Sequence, residues 1–242
     1  MNEHARLGRG REGERLRAIV EQFVAARFPS ATMAVVGGSS ARGTRTSTSD
    51  IDLLVIGPAE MFAAGDSLAA LEEFNGEHFE YFAYSLEAFD WWAHHDVADL
   101  RPVLLEMLLE GLVIRGPEIA TSLRDRWRPV VSRGPVVETG MLARRRYAIT
   151  GLIDDLVDAT DALEQRVVAH DLFTQLSELI LLATGHWLGN GKWLVRRLRA
   201  AAPSDATVLS ECIMKGDPAS FAIAAGGLLE KYGGRVGPGF VR

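Results

Sequence analysis

The sequence predicts an α/β half followed by an all-helical half, and three observations support this prediction. Short apolar runs typical of strands alternate with helical patterns up to about residue 117. From about Val137 onward these runs thin out, and long amphipathic helical patterns replace them. The join lies between Pro117 and Pro135. We therefore expect a small mixed sheet flanked by helices in residues 1–117 and a helical bundle in residues 118–242.

Length and composition narrow the class of protein. The chain has 242 residues, 48% of them hydrophobic, which is enough to bury a sizeable core. Its net charge of −6 argues against general affinity for nucleic acid or anionic membranes. The single cysteine, Cys212, excludes a disulfide framework and a cysteine-based zinc site. No apolar run is long enough to span a bilayer and the first residues lack a signal-peptide pattern, so we expect a cytoplasmic protein.

In the first half the patterns predict helices and strands in alternation. The predicted strands are residues 32–36, 51–56, 78–84 and 112–114, and the predicted helices are residues 10–28, 59–74, 86–92 and 103–110. Asn75 and Gly76 predict a turn, and we expect Trp91 and Trp92 to pack in the core. In the second half, helices are predicted over residues 142–168, 172–188, 193–201, 207–214 and 218–232.

The most informative stretch runs from Val35 to Ile56. An apolar strand pattern breaks at Gly37-Gly38, which allows a tight turn and the close approach of a ligand. Ser39 and the backbone amides that follow it can hold phosphate oxygens. These features predict a phosphate-binding turn at the end of the first strand.

Two carboxylates open the next strand. Asp50 and Asp52 are separated by one residue, so on a strand they point to the same face. Two carboxylates held side by side repel each other unless a cation neutralises them. A hard divalent ion such as Mg²⁺ prefers oxygen ligands of this kind together with substrate phosphates. The pair predicts a metal site beside the phosphate-binding turn, although an Asp-x-Asp pair alone is also common in loops and caps.

This stretch resembles the signature of a known family. Gly38-Ser39-Ser40-Ala41-Arg42-Gly43 followed by Ser49-Asp50-Ile51-Asp52-Leu53 is similar to the motif of the DNA polymerase β-like nucleotidyltransferase superfamily. The closer resemblance is to its small bacterial members, which include aminoglycoside and lincosamide nucleotidyltransferases. The motif covers residues 35–56, and the order of elements extends the resemblance to about residue 117. The helical half is similar only in general architecture and size.

The resemblance implies roles for named residues. Asp50 and Asp52 would bind Mg²⁺, with two ions expected, and a third carboxylate is expected on a neighbouring strand. Glu80 is the preferred third carboxylate for metal binding or proton transfer, and Glu77 is the alternative. The triphosphate would contact a set of residues from both halves: Gly38, Ser39, Ser40, Arg42 and Lys192.

Acidic residues in the helical half suggest how an acceptor is bound. Asp154, Asp158 and Asp161 share a face at helical spacing, which suits a cationic acceptor such as an aminoglycoside. An ordinary solvated face is the alternative. Asp155 points elsewhere and is a candidate general base near the acceptor.

The implied activity is Mg²⁺-dependent transfer of a nucleoside monophosphate, AMP from ATP in the first instance, to a hydroxyl of a small molecule such as an antibiotic. Pyrophosphate would be released. Two alternatives stay open: transfer of AMP to a protein or RNA partner, and a non-catalytic nucleotide-binding protein. The acceptor and the oligomeric state are left open.

Overall fold

A five-stranded mixed sheet forms the frame of the first half. The computed structural model describes residues 10–237, apart from the side chain of Thr139. The elements follow in the order α1 (Arg11–Arg27), β1 (Met33–Val36), α2 (Gly38–Arg42), β2 (Ile51–Ile56), a 3-10 turn (Ala59–Met61), β3 (Ser67–Phe74), β4 (Glu77–Tyr84), α3 (Leu86–Ala98), α4 (Val103–Glu110), β5 (Leu112–Arg115) and α5 (Pro117–Arg133). The strand order is β3-β4-β2-β1-β5, and only the pairing of β2 with β4 is parallel.

The central strand β2 is apolar on both faces because helices cover the sheet on both sides. On one face Leu53 and Val55 pack with α1, where Phe23 stacks on Phe79 of β4 at 4.1 Å between ring centroids. On the other face Leu54 packs in a cluster with residues of α3, α4 and α5. Asp52 interrupts this apolar strand and is half-buried. A carboxylate in such a position costs stability unless hydrogen bonds or an opposite charge compensate it.

The helix predicted over residues 59–74 is wrong, because most of that stretch forms strand β3. Its Ala, Leu and Glu residues favour a helix in isolation. Pairing along the whole length of β4, from Ser67 opposite Tyr84 to Phe74 opposite Glu77, overrides that preference. Asn75 and Gly76 have φ values of 51° and 78° and form the predicted turn, which closes a hairpin.

The chain divides into two compact units after Arg133, later than the expected boundary at residue 117. The reason is helix α5. Its buried residues Ala120, Leu123 and Trp127 join the apolar cluster of the first sheet rather than the core of the helical half.

The second unit is all-helical, as the sequence predicts. Its helices are α6 (Thr139–Asp158), α7 (Ala162–Ala183), α8 (Lys192–Ala201), α9 (Pro203–Lys215) and α10 (Pro218–Lys231). They share one core that includes Ile149, Leu176 and Phe221. Charged contacts within this unit include the bond that Arg145 donates to Glu178 at 2.6 Å and the bond that Lys231 donates to the buried carboxylate of Asp205 at 2.8 Å.

Two expectations for side chains are corrected. The helix predicted over residues 142–168 is broken at residues 159–161, where the carboxylate of Asp161 accepts from the N–H groups of Leu163 and Glu164 and caps α7. Asp161 therefore does not share a helix with Asp154 and Asp158. Trp91 and Trp92, expected in the core, are 53% and 41% exposed on α3.

Within residues 10–237, no helix has both the length and the apolar character needed to cross a membrane.

Candidate active site

The turn between β1 and α2 is built around Asp52. Gly38 has a φ of +59°, and a Cβ on it would lie 1.6 Å from Oδ2 of Asp52. The N–H of Gly37 donates to the carbonyl oxygen of Asp52 at 2.8 Å, which continues the pairing of β1 with β2. Only glycine fits position 38, because both its backbone conformation and the adjacent carboxylate exclude a side chain.

The short helix α2 places its serines differently from each other. Ser39 is half-buried at the start of the helix. Ser40 is buried, and its hydroxyl donates to the carbonyl oxygen of Asp50 at 3.4 Å. Through this bond Ser40 supports the backbone of Asp50. Ser39 lies earlier in the helix and is not the residue that makes this bond.

Asp52 and Glu80 are direct neighbours on parallel strands. Asp52 of β2 is the register partner of Glu80 of β4, so the two side chains lie on the same face of the sheet. Asp50 lies one residue before β2 begins. The three carboxylates thus gather at the end of the sheet where β2 and β4 start.

The negative charges of Asp50 and Asp52 affect the pKa of Glu80. Although Glu80 is exposed, loss of solvation beside its neighbours and the negative charges of Asp52 and Asp50 raise its pKa above its usual value. The influence of both aspartates on the pKa of Glu80 indicates that the three carboxylates lie near one another.

Glu77, the alternative third carboxylate, lies in different surroundings. It is three residues before Glu80 on β4, so strand alternation turns it to the opposite face. A hydrogen bond from the Arg45 guanidinium lowers the pKa of Glu77. The structure therefore places Glu80, and not Glu77, beside Asp52.

Arg42 extends from the last turn of α2. Its Nη1 lies 3.4 Å from Oε2 of Glu110 at the end of α4, and its side chain is about one quarter exposed. This ion pair holds the guanidinium near the phosphate-binding turn.

The donor atoms suit a hard divalent cation. Within residues 10–237, no three His, Cys, Asp or Glu side chains are close enough together to hold a metal ion by themselves. Mg²⁺ does not need such a cage, because it is usually bound by one or two carboxylates together with phosphate oxygens and water. Asp50 and Asp52 supply carboxylates of that kind.

The other residues assigned from the sequence belong to the second unit. Lys192 is exposed and opens α8 after Gly191. Asp154, Asp155 and Asp158 are exposed near the end of α6, and Asp154 pairs with Arg235. Their roles toward a nucleotide and an acceptor stay predictions.

One residue of the first unit was missed in the sequence. Arg45 lies in the polar loop between α2 and Asp50, and its guanidinium contacts both that loop and β4. An arginine within a Thr/Ser-rich loop next to a metal-ligand motif was the available signal, but its partners are set by folding.

Comparisons with known proteins give one family match, which lies within the first unit. A family model described as a nucleotidyltransferase domain matches residues 17–83. Among solved structures, the chain is similar to a nucleotidyltransferase-like protein from Exiguobacterium sibiricum 255-15, with 15% identity and a TM-score of 0.48 over 92% of this chain and 75% of that one. No curated protein matches the chain.

Proposed function

Because residues 17–83 form a nucleotidyltransferase domain of the DNA polymerase β-like superfamily, we propose that this protein transfers a nucleoside monophosphate, AMP from ATP, to a hydroxyl of a small molecule. The observation that carries the proposal is the group formed by Asp50, Asp52 and Glu80 beside the Gly38 turn. It combines a place for phosphates with carboxylates for Mg²⁺.

The phosphates are assigned to the turn. The hydroxyl of Ser39 and backbone amides at the start of α2 are the donors assigned to oxygens of the terminal phosphates. Arg42 supplies positive charge toward the same triphosphate.

The carboxylates are assigned to the metal and the proton. Asp50 and Asp52 hold Mg²⁺, which when bound neutralises charge on the triphosphate and polarises its phosphoryl oxygens. Glu80 lies next to Asp52 and has a raised pKa, so it suits the acceptance of a proton from the acceptor hydroxyl.

The proposed transfer is an in-line displacement at the α-phosphorus. The acceptor oxygen forms a bond to the α-phosphorus, and the bond from that phosphorus to the bridging oxygen of the β-phosphate breaks. Pyrophosphate leaves with the electron pair, and the hydroxyl proton passes to Glu80. Positioning and charge neutralisation supply the rate enhancement.

The acceptor is assigned by charge. Asp154, Asp155 and Asp158 form an exposed acidic group on α6, which favours a cationic hydroxylated molecule such as an aminoglycoside. Asp154 forms an ion pair with Arg235, which offsets its charge. Asp155 and Asp158 therefore provide most of the attraction for a cationic acceptor.

The experiment is a transfer assay with α-labelled nucleoside triphosphates and Mg²⁺. The purified protein is incubated with panels of aminoglycosides and lincosamides, and pyrophosphate release and labelled product are measured, with Asp52→Asn as the control. Label on a small acceptor supports the proposal. Label on protein or RNA supports the alternative acceptor class, and pyrophosphate release with none of the acceptors by the wild-type protein contradicts transfer to these molecules.

A further inference from the structure

Arg45 makes a bridge between the loop that carries Asp50 and the start of β4. Its Nε and Nη2 donate to the carbonyl oxygen of Ser49 at 3.1 and 3.0 Å. The same Nη2 donates to the carboxylate of Glu77 at 2.5 Å. One guanidinium thus holds the peptide group that precedes Asp50 and a strand that carries Glu80.

We propose that Arg45 is a positioning residue for the carboxylate group, acting through Ser49 and Glu77. The inference rests on the proposed function, because it concerns the same site. Ser49 supplies the carbonyl of its peptide bond to Asp50, so fixing that carbonyl fixes the plane from which Asp50 extends. Glu77 anchors the guanidinium from the other side.

The bridge lies where the pairing of β2 with β4 begins. The register between β2 and β4 begins at Ile51 opposite Phe79, so Asp50 lies beyond the end of the ladder. Strand pairing therefore orients Asp52 directly, while Asp50 depends on its loop. The bridge from Arg45 to Glu77 joins that loop to β4 where the ladder stops.

The loop itself is a compact turn that the bridge closes. The N–H of Thr46 donates to the Ser49 hydroxyl at 3.0 Å, and the N–H of Ser49 donates to the carbonyl of Thr46 at 3.1 Å. These bonds are local and would form in many orientations of the loop. The contact of Arg45 with Glu77 ties the turn to β4, while the bond from the Ser40 hydroxyl to the Asp50 carbonyl ties it to α2.

The surroundings of Arg45 and Glu77 indicate a positioning role rather than a role in core packing. Arg45 and Glu77 are about one quarter and one fifth exposed. They line a cavity together with Ser40, Gly43 and residues of α1. Truncating Arg45 therefore removes a polar tie next to open space and deletes little packed apolar surface. Arg15 reaches Glu77 only at 3.9 Å from an exposed position and does not replace the bridge.

The control is another arginine–glutamate bridge in the same unit. Arg27 of α1 donates to Glu72 of β3 through Nε at 2.6 Å, and neither residue belongs to the loop of residues 44–50. Arg27→Ala removes an ion pair of the same type without touching the carboxylate group.

The first measurement needs no activity. Hydrogen exchange of the nucleotide-free full chain is compared for wild type, Arg45→Ala and Arg27→Ala. We expect faster exchange in the peptide covering residues 44–52 for Arg45→Ala alone. Equal exchange in that peptide for wild type and Arg45→Ala would overturn the inference, whatever the enzyme assay shows.

The second measurement uses the transfer assay. Arg45→Ala should lower kcat by roughly ten- to hundredfold and raise the Mg²⁺ concentration at half-maximal rate, because supporting groups of this kind tune metal sites by that factor. Arg45→Lys should recover part of the loss, and Arg45→Ala/Glu77→Ala should be no slower than Arg45→Ala alone. Unchanged kcat and Mg²⁺ dependence in Arg45→Ala would also overturn it.

The two measurements separate the failure of this inference from that of the proposed function. If the wild type transfers no nucleotide but Arg45→Ala still loosens residues 44–52, the proposed reaction is wrong and the positioning role stands. If the wild type is active and Arg45→Ala matches it in exchange and rate, the positioning role is wrong and the reaction stands.

Discussion

The Asp52 carboxylate fills the place that a side chain at position 38 would take: a Cβ on Gly38 would stand 1.6 Å from Oδ2 of Asp52. The turn and the carboxylate therefore form one unit of structure. Because Gly38 also has a φ of +59°, both its backbone conformation and its contact with Asp52 favour glycine at this position. The turn proposed to bind phosphate and the carboxylate proposed to bind metal are therefore matched in shape.

Gly38→Ala should displace the Asp52 carboxylate and strain the turn. We expect a loss of about 1–3 kcal/mol in the free energy of unfolding, since the backbone lies in the left-handed region and a carboxylate must move. Transfer activity should fall by a larger factor than stability alone would cause. Urea denaturation and the transfer assay measure the two effects.

Gly227→Ala is the matched control for this change. Gly227 lies inside α10, and a Cβ there meets nothing within 4 Å. Alanine in a helix interior should stabilise the chain by about 0.5–1 kcal/mol and leave transfer unchanged. If Gly38→Ala behaved like Gly227→Ala, the close fit of the turn to Asp52 would be refuted.

Glu80→Gln should stabilise the nucleotide-free protein at pH 7, because it removes a negative charge next to Asp52. The gain should be about 0.5 kcal/mol, the scale for like charges on neighbouring strands. The pKa of Glu80 is raised in the folded state, so its penalty is absent below the unfolded pKa and appears as pH rises through the folded pKa. The urea midpoints of wild type and variant should therefore converge in acid, and a gap independent of pH would contradict this.

Glu77→Gln should show the opposite sign. Arg45 lowers the pKa of Glu77, so the charged form stabilises the folded state above the unfolded pKa and this contribution is lost as pH falls through the lowered value. We expect the variant to be less stable at pH 7 by up to ~1 kcal/mol, the usual limit for a partly exposed ion pair. Urea denaturation at pH 7 and in acid checks it; a variant more stable than wild type at pH 7 would show that Glu77 is not held by Arg45.

Neutralising the acidic group of α6 should weaken binding of cationic acceptors. For Asp155→Asn and Asp158→Asn we expect KM for an aminoglycoside to rise by up to about fivefold each, equivalent to ~1 kcal/mol for exposed charges. The effect should shrink at high salt, while KM for the nucleotide stays constant. Glu211→Gln, which removes an exposed charge on α9, is the control. Equal shifts in all three variants would refute a specific acidic site.

The sequence was most informative where local chemistry and backbone conformation coincide. The Gly37-Gly38 break, the Asp50–Asp52 spacing and the strands on either side could be predicted, because each depends on residues close in the chain. The choice of Glu80 over Glu77 as the neighbour of Asp52 depended on strand alternation, which the sequence also contains.

Features set by distant contacts could not be predicted. Residues 67–74 favour a helix locally but become a strand because β4 offers a full ladder. Helix α5 joins the first unit because Trp127 and its neighbours complete an apolar cluster of the sheet. The role of Arg45 depends on Glu77, 32 positions away.

The break at residues 159–161 belongs to a third class. Asp161 was read as one member of an acidic stripe, although an aspartate followed by helix formers is also a cap. Its carboxylate accepts from two amide groups at the start of α7, so it is not part of the acidic face of α6. In the sequence, the spacing of the aspartates suggests that they share one helix face. In the structure, Asp161 instead caps the next helix.

The most direct measurement is the rate of Mg²⁺-dependent pyrophosphate release by Asp50→Asn and Asp52→Asn with an accepted substrate. Each change keeps the shape of the side chain and removes one metal-binding charge. If the carboxylate group carries the chemistry, each rate falls at least ~10³-fold, as the loss of several kcal/mol of metal assistance requires, while circular dichroism and the urea midpoint show an intact fold. Turnover equal to wild type in either variant would contradict the assignment of that residue and, in both, the whole site.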